Sequence, residues 1–78
     1  MSDKELTEKL NEVNINNITS IVIRTVGLID IFGKMIIDIY HNNDIEQTIE
    51  IHSPVPTKII TEWLDTNKLL DKTVMYEF

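Results

Sequence analysis

His41 and His52, with Asp38, Asp44 and Glu46 close to the first of them, are the residues whose types can hold a metal ion or move a proton. Zinc takes three or four protein ligands in fixed geometry. The two histidines fall at opposite ends of one expected hairpin, so neither completes a ligand set for the other. Paired-carboxylate catalysis needs a cleft that drives two pKa values apart. The spacing of Asp38, Asp44 and Glu46 is instead that of a turn followed by a solvent-facing strand. Ser2, Ser20 and Ser53 lie in cap, strand and proline-rich settings without a neighbouring base. Gly27 and Gly33 stand too far apart to form a phosphate-cradling loop. The chain has no cysteine, which excludes disulfides, thiolate metal sites and a cysteine nucleophile. No catalytic residue, metal or cofactor is expected, and the chain is not expected to be an enzyme.

Arg24 is the most unusual charged residue. It sits in mid-strand between Val22 and Val26, on what should be an apolar face. It suits a buried ion pair, an edge device against aggregation, or a ligand contact, with the structural roles favoured. Together with Tyr40 it is the candidate contact for a small anionic ligand. Trp63 shares helical spacing with Ile59, Ile60 and Leu64, which places it in a core rather than on a docking surface. Lys34, Lys58, Lys68 and Lys72 are scattered and make no groove.

Charge narrows the partners further. Thirteen acidic residues against seven basic ones give a net charge of −6. Such a field repels phosphate backbones and anionic membranes, so direct nucleic-acid binding is disfavoured. Its plain role is solubility. No apolar run approaches the ~20 residues of a membrane-spanning helix. The opening MSDKELTEKL lacks the apolar stretch of a signal peptide, so a cytoplasmic location is expected.

These residues are positioned by six expected elements in one domain, residues 1–78. Ser2 caps a short helix, with Glu5 in capping-box position and Leu6, Leu10 and Val13 on one stripe. β-Branched residues then predict strands over residues 18–31 and 34–41, joined at Phe32-Gly33 with Gly33 at positive φ. Gly27 weakens the first strand and marks a possible bulge. Alternation predicts a third strand over residues 45–51. The hydrophobic pattern sets its register: Ile37 opposite Ile49 and Met35 opposite Ile51, through an odd-length loop of Asn42, Asn43 and Asp44. A second helix follows Ser53-Pro54-Val55-Pro56, with Ser53 as a possible cap, and runs to about Thr66 with Asn67 as a left-handed cap. Residues 73–78 alternate as a final strand. The fold class is α+β: a small antiparallel sheet of three to four strands with two short helices, in the order α-β-β-β-α-β.

Fourteen isoleucines and no alanine give the sheet more apolar positions than one face can use. With a two-residue turn at Phe32-Gly33, Val22, Val26, Leu28, Met35, Ile37, Ile39, Ile49 and Ile51 share one face. Ile21, Ile23, Ile29, Ile31, Ile36 and Tyr40 then lie on the other and are the candidate partner interface. The expected function is a non-catalytic protein-binding module, homodimeric and able to bind a host protein as an inhibitor or adaptor. The abundance of Ile, Asn and Lys implies an AT-rich genome, such as a low-GC bacterium or its phage. Two other readings compete: binding or sequestering an anionic small molecule at a dimer seam, and acidic mimicry of nucleic acid. A DNA-binding winged helix is conceivable from the order of elements, and the charge balance makes it the weakest reading.

Overall fold

The computed structural model describes residues 2–77. Helix α1 (Asp3–Asn11) is followed by strands β1 (Ser20–Val26), β2 (Lys34–His41) and β3 (Asp44–His52), helix α2 (Thr57–Thr66) and strand β4 (Thr73–Glu77). Short 3-10 turns at Ile15–Asn17 and Leu70–Lys72 join α1 to β1 and lead into β4. The order α-β-β-β-α-β and the α+β class are as the residue pattern predicts. The sheet runs β3-β2-β1-β4 and is mixed rather than wholly antiparallel, because β4 lies parallel to β1 at the outer edge. Phe78, placed by the sequence pattern in the last strand, lies outside the described residues.

Local chemistry explains the helix ends. The Glu5 amide donates to the Ser2 hydroxyl at 3.2 Å, satisfying one of the free donors of the first turn. Leu6 and Leu10 face inward and are fully buried. At the end of α2, Asn67 is not left-handed (φ −94); Lys68 takes that conformation instead, at φ 58. Lys68 N–H donates to the Asp65 carbonyl and Leu69 N–H to the Leu64 carbonyl, which together form a Schellman motif. Asn67 uses its side chain to donate to the Trp63 carbonyl at 2.8 Å. Ser53 does not cap α2. Its hydroxyl accepts from the Gly33 amide, and its own amide donates to the Gly33 carbonyl.

The β2–β3 register is the expected one, Met35 opposite Ile51 and Ile37 opposite Ile49. It arises by another route. The loop has two residues, Asn42 and Asn43, at φ 53 and 72, as a type I′ turn requires. The odd residue is absorbed by a bulge at Glu46: Ile39 pairs with Gln47, whereas Tyr40 pairs with Ile45.

The β1–β2 connection corrects the expected faces. A two-residue turn at Phe32-Gly33 would set Ile31 opposite Lys34. Instead Val26 opposes Lys34, β1 ends there, and Gly27 to Gly33 form a long connection. The shift is odd in length, so β1 turns over relative to β2. Ile21 and Ile23 therefore pair with Ile39 and Ile37 on the core face, while Val22 and Val26 point the other way. Leu28 falls in the connection and is exposed.

Both helices pack on the core face. Leu6, Leu10, Ile60, Trp63 and Leu64 join Ile21, Ile23, Met35, Ile37, Ile39, Ile49 and Ile51 in one buried cluster. Trp63 belongs to this core, as its spacing with Ile59, Ile60 and Leu64 implies. Among the described residues no helix lies over the opposite face, whose positions on β1 and β2 alternate with core residues.

The connection is held tightly. Gly27, not Gly33, has positive φ (+75), and Ile29 accepts at 3.0 Å from the Val55 amide. At Gly33 an added Cβ would lie 2.5 Å from the Val26 carbonyl oxygen and 2.8 Å from the Leu28 carbonyl carbon. Both are backbone atoms that cannot swing aside. Gly33→Ala is therefore expected to destabilise the fold by about 2–3 kcal/mol, the upper range for forced overpacking. Urea denaturation checks this: the midpoint should fall with the slope unchanged.

Candidate functional site

The site is built on the uncovered face of the sheet. Even-numbered positions of β1 and β2 supply it: Val22, Arg24 and Val26, then Lys34, Ile36, Asp38 and Tyr40. β3 adds Thr48, Glu50 and His52 through their pairing with Asp38, Ile36 and Lys34. β4 adds Val74 and Tyr76, the neighbours of Val22 and Arg24.

At its centre Arg24 donates from an Nη2 group to Asp38 Oδ2 at 2.8 Å, and the Thr48 hydroxyl donates to Asp38 Oδ1 at 2.9 Å. Asp38 is only 5 % exposed although no helix covers it. The Arg24 side chain lies across it and remains two-fifths exposed itself. Arg24 Nε is buried without a hydrogen-bond partner. Arg24 thus has the ion-pair role that its mid-strand position suggests. One carboxylate already balances its positive charge.

Beside this pair, on β1, β2 and β4, lie apolar side chains. Val22, Ile36 and Tyr40 are half-buried, and Val26, Val74 and Tyr76 are exposed. The charged residues of the regularly paired strands balance, Arg24 and Lys34 against Asp38 and Glu50, and each is paired: Lys34 Nζ lies 3.2 Å from Glu50. His52 Nε2 lies 3.5 Å from the same carboxylate. The hydrogen bond from Lys34, and then its charge, holds the Glu50 carboxyl below its ordinary value of 4.5. The face is therefore close to neutral in a chain of net charge −6.

The structure divides the six sequence-predicted interface residues. Ile36 and Tyr40 are on this face. Ile21 and Ile23 are fully buried beneath the helices. Ile29 packs partly against the core, and Ile31 is exposed in the connection. Val22, Val26, Val74 and Tyr76 complete the face and were missed by the pattern. The available signal was Arg24 itself. Charged residues in two apolar strands must share the solvated face, and placing Arg24 beside Asp38 fixes the parity of β1.

The histidines occupy opposite ends of the β2–β3 hairpin. His41 places Nε2 3.3 Å from the Asn14 carbonyl and Nδ1 3.7 Å from Glu46. Among the described residues no three His, Asp or Glu side chains converge as a metal would require. No helix among them is long and apolar enough to cross a membrane.

Two measurements check this electrostatic arrangement. Arg24→Met leaves a buried carboxylate with one remaining donor, whereas Asp38→Ala leaves a guanidinium that can turn to water. The first is expected to cost about 2–3 kcal/mol and the second about 1 kcal/mol, after discounting for the exposure of Arg24. Chemical denaturation of both variants tests the asymmetry, and equal losses would contradict it. Glu50 should titrate below 4.5 by NMR, and Lys34→Met should raise its midpoint. Because the folded value is depressed, the small stabilisation is present above the unfolded pKa and is lost as pH falls through the folded one.

Comparison with protein families, curated proteins and solved structures finds no match to this chain.

Proposed function

We propose that the chain is a non-catalytic protein-binding module that pairs with a second copy of itself through the uncovered sheet face. The observation that supports this reading is the union of apolar surface and charge balance on that face. Val22, Val26, Ile36, Val74 and Tyr76 lie beside an ion pair already formed within the chain. Desolvating such a face exposes no unpaired charge, the cost that most opposes burial of ions. Two copies meeting there keep their net acidic charge on the outer surfaces, where like-charge repulsion is screened by water and salt.

Four strands about 4.8 Å apart make a face roughly 20 Å wide, at the small end of stable interfaces. A reversible dimer is therefore expected rather than an obligate one. It leaves α1, α2 and the acidic outer surface for a second protein. In the AT-rich setting of the composition, that role is a phage or mobile-element factor that inhibits or adapts a host protein. An anionic small-molecule site finds less support, because the charge of Arg24 is already paired with Asp38.

Sedimentation equilibrium tests the dimer. Between about 1 μM and 500 μM the mass should rise from 9.1 kDa towards twice that value. Val74→Lys, at an exposed position on the face, should weaken association at least tenfold, about 1.4 kcal/mol. Lys58→Glu, on the outer side of α2, should leave it unchanged. A mass fixed at 9.1 kDa, or equal effects of the two substitutions, would contradict the reading.

A further inference from the structure

A second surface lies on the other side of β4. There a cleft of about 430 Å³ opens between α2, the Gly27–Gly33 connection and the free edge of β4. Its floor is core: Ile23, Ile60 and Leu64. Its mouth is made by Leu28, Ile31 and Met75, which are 56 %, 69 % and 57 % exposed. Three large apolar side chains left this open to water around an apolar floor are costly unless something covers them. The connection is pinned by Gly33 and by the Ile29–Val55 hydrogen bond, so the cleft is preformed.

The backbone beside it is also free. β4 is an edge strand, so alternate N–H and C=O groups point away from β1 without partners in the sheet. The two edges differ. β3 carries Asp44, Glu46 and Glu50, charges that discourage strand addition. β4 reads Thr-Val-Met-Tyr-Glu, with one charge at its end. Met75 and Glu77 share the cleft side, opposite Ile23 and Thr25, while Val74 and Tyr76 face the other way. Asp30 and Glu77 both line the cleft, and no Lys, Arg or His does so among the described residues.

We infer that this corner binds an extended segment of a partner protein, added as a fifth strand along β4, with one apolar side chain in the cleft flanked by lysine or arginine. The free edge supplies main-chain hydrogen bonds, the cleft takes the anchor, and the acids select the cations. The surface is separate from the proposed dimer face, because strand alternation directs the two sets of β4 side chains to opposite sides. Mass measurements test that dimer independently.

The probe is a capped, fluorescent pentapeptide, Lys-Thr-Leu-Thr-Lys, which as a strand places both lysines and the leucine on one side. Its counterpart is Glu-Thr-Leu-Thr-Glu. The lysine peptide is expected to bind at least tenfold more tightly at low salt, with the preference shrinking as salt rises. NMR shifts should concentrate at the β4 amides, the Met75 methyl, Leu28 and Ile31. The double variant Asp30→Lys, Glu77→Lys, changed only at exposed positions, should reverse the preference. Equal binding of both peptides, failure of both at millimolar concentration, an unreversed preference in the double variant, or shifts confined to Ile36 and Tyr40 would each overturn the inference.

Discussion

Burial of Ile21, Ile23, Ile37, Ile39, Ile49 and Ile51 against Leu6, Leu10, Ile60 and Leu64 is the interaction on which the other features of this molecule rest. Each such side chain contributes about 2 kcal/mol when taken fully out of water. The backbone costs roughly 1–2 kcal/mol per ordered residue, so a small domain has little margin. Two helices of nine and ten residues cannot cover both faces of a four-stranded sheet. Concentrating them on one face produces a single contiguous core. The consequence is a second face with no layer of its own.

The Arg24–Asp38 pair makes the choice of face decisive. A slip of one residue in β1 would carry Arg24 into the core and bring Ile21 and Ile23 out to water. Burying an unpaired guanidinium costs far more than the apolar contacts of an alternative register return. The pair therefore acts first on specificity and only second on stability, since Arg24 is substantially solvated. It also explains how an apolar face carries charge without becoming charged. The same strand alternation sends Val74 and Tyr76 to that face and Met75 and Glu77 to the cleft, so one short edge strand borders two surfaces.

Much of this fold was legible in the residues. Ser2 with Glu5, the stripe Leu6–Leu10, and the alternation from Ile45 to Ile51 each specify their element locally. The β2–β3 register was also legible, because only one pairing aligns Ile37 with Ile49 and Met35 with Ile51. Its loop was not. A bulge at Glu46 and an odd-length loop leave the same hydrophobic trace. The β1–β2 connection failed for a related reason. Leu28, Ile29 and Ile31 are apolar residues, two of them β-branched, used outside a strand, where they border a cleft. Periodicity cannot tell that from a longer strand, and the error in β1 parity moved Val22 and Val26 to the wrong face. The parallel pairing of β4 was beyond local signals, since five alternating residues fit either edge in either direction.

In the proposed dimer the sheet face around Arg24 and Asp38 is covered by the same face of another copy. The most direct measurement is an isotope-filtered NOE experiment on a mixture of ¹³C-labelled and unlabelled protein. Such a dimer gives intermolecular contacts from the methyl groups of Val22, Ile36 and Val74, with Tyr76 among their partners and none from Ile21 or Ile23. Intermolecular contacts arising only from Leu28, Ile31 and Met75, or none at concentrations where the mass is that of a dimer, would contradict it.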